Sequence, residues 1–544
     1  MRNTAKTLLS VLSIVFAISG FATGADTPAP DRPIEQVVDE LVDQKLEAER
    51  VVPAAPADDA NFIRRATLDL AGRIPTASEV RDYVQSEDPA KKALLVDRLL
   101  ASPDFAYHQR NEFDLMLMAG KGSGEWRDWL LKAMQEGRPW TQMFRELMLA
   151  REEDPNQKHA LTFLKARATN LDDLTNDTSK VFFGVSINCA KCHDHPLVFD
   201  WTQDHYFGMA SFFNRTYLTK KNFLAERDDG DLKFRTTEGE EKQASLMFLT
   251  GAVVNEPAVQ LTEEQKKANE ERQKADNERE TPPEAPAFSR RAQFVEVALR
   301  SDENAFFARS YANRVWARLM GTGIVMPLDQ MHSENKPSHP ELLTWLARDV
   351  ESHGYDLKRL MRGIVLSRAY GRNSRWEGAG ERPSDRLFAA ATVRAMTPMQ
   401  FSLSLSIATC EPQELADRLA RPEEWVNRRR DLESHAWGFA QQIEIPGENF
   451  QIGVNEALLF NNNERIEQEY LRDSGDRLVG RLKQISDRSQ MLQVAFQSIY
   501  SRNAALEEIE SLSAYLAARE DRPVPALQQV LWSLITSGEF RFNY

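Results

Sequence analysis

Residues 172–214 read DDLTNDTSKVFFGVSINCAKCHDHPLVFDWTQDHYFGMASFFN. This stretch carries Cys189 and Cys192, two of the three cysteines in the chain, and His193, His195 and His205, three of its nine histidines. Cys189-Ala190-Lys191-Cys192-His193 has the C-x-x-C-H spacing of covalent haem attachment. The chemistry needs that spacing. Two thiols add across two vinyl groups, so they must be close but not adjacent, and the next residue must bring an imidazole to the iron. Three other readings stay open. The pair can be a redox-active dithiol, since C-x-x-C also lowers a thiol pKa. It can be a structural disulfide. It can bind another metal with His193 and His195, although zinc sites usually bring a second ligand pair and no second C-x-x-C or H-x3-5-H is present.

The flanks of the motif decide the fold class. Val181, Phe182 and Val185 mark the buried face of a helix expected from about Asp173 to Ile187. Gly184 is costly inside a helix. It would admit close approach of another helix or of a porphyrin, helix packing being the first choice. After the motif, Thr202 can cap a second helix. Tyr206, Met209, Ala210 and Phe213 recur at helical spacing and give that helix one apolar face.

Helical spacing continues outward. Ile34, Val37, Val38, Leu41, Val42 and Leu46 form one stripe, and Phe62, Ala66 and Leu70 another. Thr76 and Glu79 have capping-box spacing. Beyond Asn214 the pattern changes. Lys233–Thr237 and Ser245–Thr250 are strand-like, punctuated by Gly230, Gly239 and Gly251. Leu261–Pro286 is charged and poor in apolar residues, which fits a solvated helix or a disordered linker. Helical spacing then returns, with a helix start at Ser338-His339-Pro340-Glu341 and a cap at Asp356. The expected architecture is mostly α. Two helical domains, 34–215 and 289–544, flank a small β insertion at 216–260 and a charged linker at 261–288.

Composition narrows the function. The chain has 544 residues, enough for more than one ordinary core. Its net charge of −14 gives no electrostatic footprint for nucleic acid. Three cysteines cannot build a disulfide scaffold, and Cys410 is expected to be a small buried apolar group. Arg2 and Lys6, the apolar run Leu8–Phe21 and the small residues 22–25 read as a secretory signal peptide over residues 1–25. Export, to the periplasm or beyond, suits haem attachment outside the inner membrane. No later stretch has the length and apolarity of a membrane span.

Residues 61–76, NFIRRATLDLAGRIPT, resemble the opening signature of the planctomycete cytochrome-C-like domain of unknown function. So do residues 95–103, LVDRLLASP, and the central CAKCHDHP at 189–196. Residues 313–316, 338–343 and 366–370 are similar to its usual C-terminal partner domain, also of unknown function, as is the ending 537–543. The resemblance implies an exported protein with cytochrome-like chemistry and dictates no activity. No separate N-terminal cytochrome module is found, a departure from some relatives.

The leading expectation is a mono-haem c-type electron carrier or periplasmic redox subunit. Cys189 and Cys192 would hold haem c, His193 would be the proximal ligand, and an external redox protein or co-exported enzyme would be the partner. His205 is the first choice for a distal ligand, ahead of Met209 and His339. One alternative is a haem-free periplasmic binding or scaffold protein with a structural or redox disulfide. Another is a metal-dependent enzyme using His193, His195 and Asp194, although no general base is evident.

Overall fold

In the computed structural model, the described residues are 32–195, 198–257, 262–300, 306–446, 460 and 463–544. The expected signal peptide, residues 1–25, lies outside them.

The helix Asp59–Ala71 is the interior element of the molecule. Asp58 caps it, accepting from the Asn61 backbone nitrogen at 2.8 Å. The expected stripe of Phe62, Ala66 and Leu70 is buried, but so is every residue from Phe62 to Ala71. Burying charges this way is costly unless each one is paired. Arg64 donates to the carbonyls of Ile499 and Phe540, and Arg65 to that of Arg372 at 2.9 Å. The Asp69 carboxylate accepts from the Tyr370 hydroxyl, the Arg394 guanidinium and the Asn543 amide, at 2.7, 2.8 and 2.9 Å. The helix ends at Gly72, where φ is +70° and an added Cβ would sit 2.5 Å from the His108 ring. Arg73 then lies between Glu79 at 2.7 Å and Asp104 at 2.8 Å, and Asp104 also accepts from the Trp425 indole at 3.1 Å.

The fold is mostly α, with short two-stranded sheets. The principal core runs from Ile34 to Ala389 and draws on residues before and after the charged segment. Gly363 marks how closely the two sides meet: a Cβ there would fall 2.3 Å from Cβ of Ile34. The second core combines Leu68 and Ile74 with residues from Met396 to Phe540. The charged segment expected as a linker therefore does not divide the hydrophobic core. Its central part, Glu263–Glu278, is a helix with no buried residue, capped by Thr262.

The β insertion consists of three antiparallel hairpins. Thr216–Leu218 pairs with Leu224–Glu226, Lys233–Arg235 with Glu241–Gln243, and Leu246–Met247 with Val253–Val254. A fourth pair, Arg394–Ala395 with Phe542–Asn543, brings the end of the chain against the helix Asp59–Ala71. Capping at Thr76, Asp356 and the proline-led start at Pro340 follows the sequence pattern. Cys410 is 2 % exposed, as expected of a small apolar group. No helix among the described residues is long and apolar enough to cross a membrane.

Candidate functional site

The helix before the cysteine motif runs from Leu171 to Phe183, with Asn170 as its cap. It stops four residues short of the expected Ile187. Gly184 adopts φ +67°, a left-handed conformation that terminates a helix at little cost for glycine. An added Cβ would lie 3.0 Å from the Leu328 carbonyl oxygen and 3.3 Å from Ser310 Oγ. The glycine thus serves a turn and close approach of the segment after Pro327, not approach of a porphyrin. Val185 bridges Gln330, the Ser186 nitrogen donates to the Asp329 carbonyl at 2.8 Å, and Met331 donates back to Gly184 at 2.9 Å. The second half of the chain therefore holds the entrance to the motif.

Asn188–Lys191 forms one 3-10 turn. Ile187 and Ala190 are buried and anchor it, while Cys189, Cys192 and His193 are exposed. Cys189 lies within the turn and Cys192 directly follows it. Neither is in a disulfide. The His193 Nδ1 lies 2.7 Å from the Asp194 carbonyl oxygen. A carbonyl can only accept, so Nδ1 carries a hydrogen and Nε2 is the nitrogen left to ligate. This is how a ligating imidazole is commonly oriented.

The motif is tied to both flanking helices. Asp172, in the first turn of the preceding helix, accepts from Lys191 Nζ and from the Tyr206 hydroxyl. Those two bonds, Lys191 first, hold its carboxyl below the ordinary range. Burial, reinforced by Asp172, pushes the Tyr206 phenol up. Asp194 Oδ1 accepts from the Gln203 nitrogen at 2.8 Å and so helps start the following helix, Gln203–Ser211. His195 Nδ1 accepts from the Val198 nitrogen at 3.1 Å, which braces the loop.

The three distal candidates fall in different surroundings. His205 completes a capping box: its Nδ1 is 3.3 Å from the Thr202 backbone nitrogen and 2.9 Å from the Thr202 hydroxyl. A backbone N–H can only donate, so Nδ1 is the acceptor and Nε2 carries the hydrogen. Ligation through Nε2 would require the other tautomer and loss of this cap. Met209 is fully buried beside Tyr206 and Ala210, as its place on the apolar face implies. His339 is 3 % exposed, packs on Phe388, and is bonded through Nδ1 to Ser338 at 3.1 Å. Lys45 and Arg386 are its charged neighbours.

Beside the loop lies a cavity of about 410 Å³ between the two halves of the chain. Trp201 and His205 line it from one side, Phe306, Arg309 and His332 from the other. Asp200 closes its rim, accepting from the Ser333 nitrogen at 2.7 Å and the Ser333 hydroxyl at 2.8 Å. Arg309 and His332 carry no local sequence signal and were not among the expected site residues. Among the described residues, no group of three or more His, Cys, Asp or Glu is arranged to hold a metal ion.

Residues 37–217 match the family model PSCyt2, a protein of unknown function (DUF1549), and residues 290–424 match PSD1, a protein of unknown function (DUF1553). The chain carries the PSCyt2–PSD1 pair. No curated protein and no solved structure matches it. The cysteine motif and both its flanking helices belong to the PSCyt2 segment. The PSD1 segment supplies Arg309, His332 and the stretch Asp329–Met331 that pairs with Gly184–Ser186. The cavity is therefore built by both segments.

The donor set of the PSCyt2 motif fits haem c. Two free, exposed thiols lie in and just after one short turn, and the adjacent imidazole has Nδ1 on a backbone carbonyl, which leaves Nε2 as its ligating nitrogen.

Proposed function

We propose that this chain is an exported c-type cytochrome-like protein, serving as a mono-haem electron carrier or redox subunit. One observation carries the reading: Cys189 and Cys192 are free and exposed in and just after one short turn, and the adjacent exposed His193 has Nδ1 spent on a backbone carbonyl, which leaves Nε2 to ligate. Cys189 and Cys192 would hold the ring, and His193 would hold the iron. Bound haem supplies one-electron chemistry at a potential set by axial ligation and burial.

The protein's own groups give that site a fixed frame. Asp172 restrains Lys191 from one helix and Tyr206 from the next, so the turn between the thiols is held at both ends. Ala190 is buried between the two cysteines and keeps them facing outward. An exposed site with one carrier needs an external redox protein or a co-exported enzyme to exchange electrons. The signal-like residues 1–25 support an exported mature chain, in the periplasm or outside the cell.

The test is expression with a c-type maturation system and export. The expected product begins within a few residues of Asp26, is red, gives a pyridine haemochrome spectrum, and gains the mass of one haem. Replacing Cys189 and Cys192 together by serine removes the colour and the added mass. A colourless wild-type product of unmodified mass, correctly exported, overturns the reading.

A further inference from the structure

The cavity beside the cysteine loop has polar groups that nothing in the fold satisfies. Arg309 is half-buried, its Nε has no hydrogen-bond partner, and no carboxylate among the described residues pairs with it. Burial pushes its guanidinium below the ordinary value, with no opposing charge among the described residues. The Trp201 indole is 2 % exposed, and its N–H also lacks an acceptor. His332 is bonded through Nε2 to Gln330 at 3.2 Å, while its buried Nδ1 has no partner. Other buried guanidinium groups are paired within the fold, Arg73 and Arg429 with carboxylates and Arg64 and Arg65 with backbone carbonyls. An unmatched positive group lining a cavity calls for an anionic partner.

The rest of the lining describes the body of that ligand. Phe306, Val325 and Met331 give an apolar wall. The volume of about 410 Å³ is in the range of small-molecule sites. Asp200 makes no ion pair with Arg309; its carboxylate accepts from the Ser333 nitrogen and hydroxyl instead. We infer that this cavity binds a small organic carboxylate, with the carboxylate on the Arg309 guanidinium and the apolar body against Phe306, Val325 and Met331. An inorganic oxyanion would satisfy the donors but leave the apolar wall uncovered.

The site needs no haem, so its test stands apart from that of the cytochrome reading. The full-length exported protein is prepared without haem maturation and titrated calorimetrically with benzoate, benzamide and inorganic phosphate. Benzoate is expected to bind one to one, at least tenfold more tightly than either of the other two. Arg309→Gln is expected to weaken benzoate at least tenfold, the range of a lost charge-assisted hydrogen bond, and to leave benzamide unaffected. Thr250→Phe, at the cavity's edge, serves as the second variant and should abolish benzoate binding by filling the space. No benzoate binding by the folded wild-type protein overturns the inference. Equal binding of benzoate and benzamide, or of benzoate and phosphate, overturns it as well.

Discussion

The Nδ1 of His205 lies 2.9 Å from the Thr202 hydroxyl and 3.3 Å from the Thr202 backbone nitrogen, and this pair closes the first turn of the helix Gln203–Ser211. Burial holds the imidazole below its ordinary pKa, against the pull of Asp204, Asp194 and Asp200, which favours the neutral ring that the cap requires. His205→Ala should therefore cost about 1 kcal/mol of stability. His205→Gln should cost less, because glutamine at that position can reach back to the cap nitrogen. In haem-loaded protein both variants should keep the wild-type optical spectrum. A switch to a high-spin spectrum in both would reassign His205 to the iron.

Asp69 is the most heavily used carboxylate of the interior helix. Removing it leaves Arg394, Tyr370 and Asn543 without their acceptor in a buried place. Asp69→Ala should cost about 3–5 kcal/mol, the range for breaking a buried charged pair. Urea unfolding measures it directly. A loss comparable to that of an exposed acid such as Asp82 would show that water replaces the carboxylate.

The same helix shows where sequence patterning stops being readable. Phe62, Ala66 and Leu70 mark one face by spacing alone. Arg64, Arg65 and Asp69 carry no local sign of burial, because their partners lie 435, 307 and 474 residues away in the chain. Local signals were legible for the same reason in reverse. The cysteine spacing, the Thr202 and Thr76 caps and the apolar face of Gln203–Ser211 all lie within a few residues of their partners. Gly184 was visible as an anomaly, but its cause was not, since the Leu328 carbonyl it accommodates is remote in sequence. The charged segment 263–278 is solvated as its composition implies, yet solvation of a connector says nothing about whether the helices on either side share a core. Ile34 against Gly363 shows that they do. The cavity was invisible for the same reason, because Arg309 and His332 meet Trp201 and His205 only in the folded chain.

His339 makes stability depend on pH. Burial first, then Lys45 and Arg386, push its pKa from 6.5 to about 4. The shift is downward, so its contribution is fully present above 6.5 and is lost as pH falls from there toward about 4. The shift corresponds to about 3 kcal/mol at full development. The melting temperature should fall across that window, and His339→Phe should flatten the slope while keeping a ring against Phe388. Buried His108, also held well below its ordinary value by burial and by Arg318 and Arg429, should leave a residual slope. A wild-type slope unchanged by His339→Phe would mean that His339 already titrates normally in the folded protein.

Asp172 contributes to the site through position more than through stability. Its carboxylate joins Lys191, in the turn between the cysteines, to Tyr206 on the following helix. Lys191 and Asp172 each retain 42 % side-chain exposure, and such solvent-screened pairs contribute about 0–1 kcal/mol. Asp172→Ala should therefore leave the melting temperature almost unchanged. What it removes is the restraint on a turn with only Ile187 and Ala190 buried beneath it. Amide hydrogen exchange over residues 188–193 should speed up, as should maleimide labelling of Cys189 and Cys192, while exchange in the helix Asp59–Ala71 stays constant. Asp172→Asn should fall between the two, since the amide oxygen can still accept from one partner. The pH dependence has a definite sign. The Asp172 pKa is depressed from 3.8, so the restraint is present above that value and is lost as pH falls below it. Wild-type labelling should therefore stay slow through neutral and mildly acidic conditions. Equal labelling rates in wild type and Asp172→Ala would show that the buried anchors alone order the turn.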